Sequence, residues 1–334
     1  MKFKNILLTR MKYIGDVVLT TPIIRTLREE YPEAHISYLG DAKAVSLLQH
    51  NPFLNEIIPF DFSKDSFAYQ LKMYALMFSK KFDLAIDLYS NPRSALLTFA
   101  TRAKMRIGGD SKSRGKFYTH RISDDGSLKS AIDYHYQSLK PIGIQPKYFT
   151  TEIFLTEKEK NEARNVLSTI GIDANRKIVA LHPGGTWPAK LWQKEKFAEL
   201  ARKLITENVS VILTGGNNDV EAVEYVRSNS NAVSIGNISL RMISAIYSHC
   251  NALVSNDCGV VHIAVAVGTP TIGIFGPGQE NIWFPYSSPH KAIRENVPCH
   301  PCHLNVCNRT GNGFMECMKL ITVEEVFTAV RERL

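Results

Sequence analysis

Short apolar runs alternate with stretches of helical period along most of the chain. Lys4 to Thr9 reads as a strand, followed by the polar loop Arg10 to Asp16 and an amphipathic helix to about Tyr31, where Tyr31-Pro32 ends it. Pro22 falls in the first turns, where proline is tolerated. Ala34 to Gly40 is the next strand, and strand, helix, strand over so short a distance predicts a parallel, right-handed βαβ unit. The alternation continues through helix Ala42 to His50, strand Glu56 to Phe60, helix Ser66 to Phe78, strand Phe82 to Leu88, helix Arg93 to Arg102, strand Arg106 to Gly109 and helix Ser130 to Leu139. Pro141 to Phe154 has little periodicity and contains Pro141, Gly143 and Pro146, which suits a linker.

A second alternation starts with helix Glu157 to Gly171 and the strand KIVALHP. It runs through helix Gln193 to Asn208, strand SVILTGG, helix Asp219 to Ser228, strand AVSIG and helix Leu240 to Cys250. Its centre is Val254 to Pro277, VSNDCGVVHIAVAVGTPTIGIFGP, a βαβ unit with its polar residues at the turn. Asn256, Asp257, Cys258 and Gly259 stand at the carboxyl end of a strand, where open α/β sheets bind ligands, and the next helix begins there with free amides. Such an N-terminus favours an anion, with Asp257 and His262 beside it; equally, Asp257 reads as a helix cap and His262 as an interior histidine. The last helix, Val323 to Leu334, carries Val326, Phe327, Val330 and Leu334 on one face.

The pattern predicts an α/β protein of two doubly wound domains, 1–150 and 151–322, with 323–334 as a terminal helix. A length of 334 residues agrees with about two domains. No apolar run approaches the roughly 20 residues of a membrane span, and the apolar run of the N-terminus is too short for a signal peptide. An intracellular chain with reduced thiols is expected. The net charge of +8 favours acidic partners. Lys and Arg are dense from Arg93 to Arg121, around Gly108-Gly109, and this stretch is a candidate polyanion site, although a charge cluster is more often plain solvated surface.

Several other loops carry candidate chemistry. Lys190 follows the glycine loop His182-Pro183-Gly184-Gly185-Thr186, so its ammonium, the loop amides and the Thr186 hydroxyl can converge on one anion; the alternative is that Lys190 and Lys194 coat a helix start. Glu221, after Gly215-Gly216, can hold ribose hydroxyls or serve the helix dipole. Neither glycine loop is a Walker or dinucleotide fingerprint, so neither ATP hydrolysis nor a nicotinamide cofactor is expected. Cys299, Cys302, Cys307 and Cys317 have the spacing C-x2-C-x4-C-x9-C with His300 and His303 between them, which suggests structural zinc before disulfides, with reduced thiols or an adventitious disulfide the alternatives.

Taken together, Gly15-Asp16, His182-Pro183-Gly184 with Lys190 and Trp192, Thr214-Gly215-Gly216 with Asp219 and Glu221, and Asn256-Asp257-Cys258-Gly259 with His262 resemble the motifs of glycosyltransferase family 9, the family of the ADP-heptose:lipopolysaccharide heptosyltransferases. The pieces span nearly the whole chain, and their order and spacing are more specific than any one of them. The resemblance implies a GT-B architecture, two Rossmann-like domains facing a cleft, with the acceptor bound by the first and the nucleotide sugar by the second. It further implies that the terminal helix packs back on the first domain.

It also implies an inverting transfer of heptose from ADP-heptose to the phosphorylated inner core of lipopolysaccharide, without metal or other cofactor. Asp16 matches the family's catalytic aspartate, whereas from the residues alone it reads as base or helix cap. Thr186, Lys190, Glu221, Asp257, Cys258, Gly259 and His262 would serve the donor, and Arg10, Gly15, Arg93, Arg114 and Lys116 the acceptor. Cys258 departs from the threonine of many members, which removes a hydroxyl and keeps the amide. A monomer at the cytoplasmic face of the inner membrane, with no nucleic-acid partner, is expected. Transfer of another sugar on the same fold, or a non-catalytic nucleotide-sugar or polyanion binding protein, are the competing readings.

Overall fold

The computed structural model describes residues 2–334 apart from 111, 124, 125, 127, 128 and 174 and the side chains of 112 and 113, so Lys112 of the basic stretch lies outside the described side chains. The chain divides into two compact units, Met1–Phe154 and Leu155–Leu334.

Unit 1 holds β1 (Asn5–Thr9), β2 (His35–Asp41), β3 (Glu56–Phe60), β4 (Leu84–Asp87), β5 (Met105–Gly109) and β6 (His120–Ile122). Unit 2 holds β7 (Ile178–His182), β8 (Ser210–Leu213), β9 (Val233–Ser234), β10 (Ala252–Asn256), β11 (Thr271–Phe275) and β12 (Lys291–Arg294). The sheet orders are β3-β2-β1-β4-β5-β6 and β12-β11-β10-β7-β8-β9, and every pairing is parallel. Counted from its own first strand, each sheet runs 3-2-1-4-5-6, the doubly wound order. The strand direction of travel therefore reverses between β1 and β4 in one unit and between β7 and β10 in the other, and the loops leaving those four strands are the places where such sheets bind ligands.

The central strands are buried on both faces, as parallel sheets require: β4, β7, β10 and β11 are buried throughout. Their runs of Val, Ile, Leu and Ala are what the sequence shows as short apolar segments. In unit 1, Leu7, Leu39, Ile58 and Ala85 pack with Met73, Met77 and Leu97. In unit 2, Val179, Leu181, Val254 and Ile274 pack with Trp192, Phe197, Leu200 and Leu204.

Three expectations need correction. The helix expected to run to Tyr31 is two, Ile14–Leu19 and Thr21–Glu30, because Pro22 has no amide to continue the first and sits in the opening turn of the second. The edge strands β6 and β12 were not expected; with sequences His-Arg-Ile and Lys-Ala-Ile-Arg they carry the polar residues that edges use against aggregation. The domain boundary lies past 150, since Glu152 pairs with Arg25 at 2.7 Å and donates its amide to Thr21, while Phe154 stacks edge-on against Phe53. The last helix, Val323–Arg331, packs Val326, Phe327 and Val330 into the core of unit 2 beside Trp192, Phe197 and Leu200.

Candidate active site

In unit 2, the loops after β7 and β10 are tied together by one side chain. Asn256 ends β10 with no solvent exposure. Its Oδ1 accepts the Trp192 amide at 2.9 Å, and its Nδ2 donates to the carbonyls of Pro183 (2.9 Å) and Gly184 (3.0 Å). All of these bonds are buried, so the amide side chain fixes the glycine loop and the Lys190–Trp192 turn relative to the strand. Trp192, also buried, anchors that turn by donating Nε1–H to the Ile321 carbonyl at 3.1 Å.

Asp219 performs the matching task one strand over. Its Oδ1 accepts the Gly185 amide at 3.1 Å and its Oδ2 the Gly216 amide at 2.8 Å, which clamps the loops after β7 and β8 together. The Gly185 amide, expected to meet an anionic ligand, is thereby already engaged. His182 Nδ1 lies 2.8 Å from Thr214 Oγ1, which in turn is 2.9 Å from the Tyr247 hydroxyl. Burial holds the His182 pKa well below its usual value, against a smaller opposite pull from Asp219, so the ring is neutral at physiological pH.

The clamp explains Gly184. A Cβ there would stand 2.1 Å from Asp219 Cγ, whereas a Cβ on Gly216 would meet Asp219 Oδ2 at an ordinary 3.5 Å. Gly184→Ala is accordingly expected to cost about 1–3 kcal/mol of stability, and Gly216→Ala little. Urea unfolding of the two variants checks this; equal stabilities would mean that the clamp does not form.

Lys190 and Asp257 face each other above these loops. The ammonium is 2.6 Å from Asp257 Oδ2 and 4.5 Å from the centre of the Trp187 ring. The carboxylate oxygen is buried and in ionic contact with the ammonium without an aligned hydrogen bond. A Cβ on Gly278 would lie 2.7 Å from the same oxygen, so the loop after β11 must carry glycine to pass over it. Helix Gly259–Ala266 begins at Cys258, whose amide-bearing first turn opens beside this pair.

The Cys258 thiol does not replace the missing threonine hydroxyl as a cap. It lies 3.3 Å from Ser255 Oγ, and burial pushes its pKa up to about 11, so it stays protonated. His262, itself buried, has Nδ1 3.0 Å from the hydroxyl of the half-buried Tyr286, which packs edge-on against the buried Phe284. Thr186 is exposed in the glycine loop. Glu221 stands on the first turn of helix Val220–Ser228, where an acid complements the helix dipole, its side chain 87% exposed and paired with Lys194 at 2.5 Å.

The cysteine loop has a part that the spacing alone did not reveal. Its Asn305 carbonyl accepts the Ala189 amide at 3.0 Å, next to Lys190. Its His303 donates an amide to the Pro277 carbonyl at 3.0 Å, and His300 Nδ1 lies 2.9 Å from the Gly276 carbonyl. The loop thus buttresses both segments that enclose Asp257. All six cysteines are free thiols, and among the described residues no group of three or more His, Cys, Asp and Glu is placed to hold a metal ion.

In unit 1 the equivalent position belongs to Arg10 and Asp16. Asp16 is the third residue of helix Ile14–Leu19, not its cap, which is Tyr13. One carboxylate oxygen is held by the Arg10 guanidinium, and the other receives a long 3.4 Å contact from the Tyr13 amide. Arg10 also donates to the Leu88 carbonyl at 3.0 Å and stacks 4.5 Å from the centre of Tyr89, so it ties Asp16 to the loop after β4. Gly15 is buried in the first turn of the same helix.

The basic stretch is less free than its composition implied. Arg93 pairs with Asp65 at 2.5 Å and lies against Phe60 and Phe62. Arg106 donates to the Phe117 and Ala103 carbonyls, and Arg121 lies 3.7 Å from Asp110. Lys116 is exposed on the turn Lys112–Phe117, and Arg114, half-buried on the same turn, sends its charge toward Tyr118.

No helix among the described residues is long and apolar enough to cross a membrane. The chain is 25% identical to lipopolysaccharide heptosyltransferase 2 of Salmonella typhimurium, with 96% of each chain covered, and 27% identical to that of Escherichia coli, with 87% and 88% covered. Its fold matches a family 9 glycosyl transferase of Veillonella parvula (TM-score 0.87, 24% identity, 99% and 97% covered). It also matches ADP-heptose lps heptosyltransferase II of E. coli (TM-score 0.82, 24% identity, 99% and 98% covered), so the two doubly wound units have the GT-B-like fold. The model of glycosyltransferase family 9 (heptosyltransferase) matches residues 72–311, and the chain belongs to this family of glycosyltransferases.

Proposed function

We propose that this enzyme moves heptose from ADP-heptose onto the phosphorylated inner core of lipopolysaccharide, with inversion at the anomeric carbon and without a metal ion. The observation that carries the reading is the placing of a carboxylate held by Arg10 at the switch point of one sheet and of the Lys190–Asp257 pair at the switch point of the other. The names of the relatives support the sugar and the acceptor.

Asp16 accepts the proton of the acceptor hydroxyl through its loosely held oxygen as that hydroxyl attacks the anomeric carbon. The bond from that carbon to the diphosphate breaks, and ADP leaves with the electron pair. Lys190 and the first amides of helix Gly259–Ala266 meet the growing charge. Thr186, Asp257, Cys258 through its backbone, and His262 line the donor side, with Glu221 at its margin. Arg10 and Gly15 position the base, while Arg93, Arg114 and Lys116 draw the acceptor phosphates toward unit 1, where Arg93 would have to exchange Asp65 for phosphate. The protein works as a monomer at the cytoplasmic membrane face, where such an acceptor is presented.

Donor identity is testable by melting. ADP-heptose is expected to raise the melting temperature, because a ligand that binds only the folded state stabilises it by mass action, and UDP- and GDP-sugars at the same concentration are not. A rise with a UDP- or GDP-sugar alone would reassign the donor.

A further inference from the structure

Unit 1 contains a small hollow at the carboxyl ends of β4 and β5. It is lined by Asp87, Ser90, Gly109, Tyr134, His135 and Ser138, with Leu88 in its wall. Most of its polar groups are already paired. Asp87 Oδ1 accepts the amides of Tyr89 (2.9 Å) and Ser90 (2.8 Å), and its Oδ2 accepts the Tyr118 hydroxyl at 2.7 Å. Ser90 Oγ accepts the Gly109 amide at 2.7 Å, and Ser138 donates its hydroxyl to the His135 carbonyl at 2.5 Å.

Among the buried lining groups His135 is the exception. Its side chain comes from helix Ala131–Gln137 and is only 3% exposed, and Nδ1 has no hydrogen-bond partner. A buried polar atom left unpaired costs roughly 1–3 kcal/mol, so its persistence on the wall of a hollow points to a ligand that completes it. Burial, reinforced by the charge of Arg10, keeps the imidazole neutral. Among the described lining residues there is a carboxylate and no Lys or Arg. The hollow therefore suits an uncharged hydroxyl better than a phosphate. Leu88 connects it to the base, since the carbonyl of this lining residue accepts the Arg10 guanidinium that holds Asp16.

We infer that this hollow is a subsite for a sugar hydroxyl of the acceptor, hydrogen-bonded by His135 Nδ1, distinct from the basic residues that meet the acceptor's phosphates. The inference rests on the assignment of unit 1 to the acceptor. His135 is a positioning residue: it fixes which way the acceptor ring lies beside Asp16.

The test compares His135→Phe and His135→Asn, using deacylated inner-core oligosaccharide as acceptor and ADP-heptose as donor. The Phe variant is expected to raise the acceptor KM about tenfold, the loss of one hydrogen bond, with the donor KM and the melting temperature unchanged. Asn, whose side-chain amide can stand where Nδ1 stood, is expected to restore most of the loss. In the wild-type protein, titration with the same oligosaccharide is expected to shift the His135 Nδ1 resonance in nitrogen NMR. Equal KM values for wild type and the Phe variant, both KM values rising with a lower melting temperature, or a resonance that does not move would each overturn the inference. If the wild type transferred no heptose, the proposed reaction would fail while the NMR titration would still decide the subsite.

Discussion

Asp16→Asn lowers kcat by about 100- to 10,000-fold, the span of a lost general base, and leaves donor affinity and the melting temperature close to wild type. The amide keeps an oxygen to accept from Arg10, so the loop between β1 and its helix holds its shape. What it cannot do is take the acceptor's proton. The distinction matters because Asp16 also reaches back to the Tyr13 amide, and a purely structural acid would show the opposite pattern, lower stability with turnover intact. Steady-state kinetics and thermal unfolding of one variant separate the two roles, and near wild-type kcat would send the search for the base elsewhere.

Lys190→Ala lowers kcat/KM for ADP-heptose by about ten- to a hundredfold, as the loss of one charge-assisted contact of about 1.5–3 kcal/mol implies. It also strands the buried carboxylate of Asp257, which faces the ammonium at 2.6 Å. Stability is expected to fall with activity in the single variant for that reason. The double variant Lys190→Ala, Asp257→Asn removes the uncompensated charge and is expected to regain stability without regaining turnover. Recovery of both would show that Lys190 serves only to neutralise Asp257.

The strands that place the site were legible because a parallel sheet buries both faces, so β1, β4, β7 and β10 appear as unbroken apolar runs ending in polar loops. Arg10, Asp16, Lys190, Asp257 and Gly259 stand where such loops leave the sheets. What stayed hidden depends on contacts distant in sequence. Nothing local marks Asn256 as the group that ties Pro183, Gly184 and Trp192, or Asp219 as a clamp across two glycine loops.

Glu221 follows paired glycines in sequence, a setting that fits a ribose ligand, and its pairing with Lys194 on the exposed first turn of its helix depends on a residue of another helix. The Arg93 to Arg121 stretch shows its charge in sequence, whereas Asp65, which neutralises Arg93, lies on a different element. The cysteine spacing drew attention to metal, while the backbone of the same loop holds Ala189 and Pro277 in place.

The most direct measurement of the central claim is the anomeric configuration of the product formed from ADP-heptose and inner-core acceptor in the presence of EDTA. Undiminished transfer, with the new glycosidic bond opposite in configuration to the donor, is the predicted result, because Asp16 supplies the base and Lys190 with the helix amides supplies the positive charge. Retention of configuration, or turnover that stops with EDTA and returns with Mg²⁺ or Mn²⁺, would contradict it.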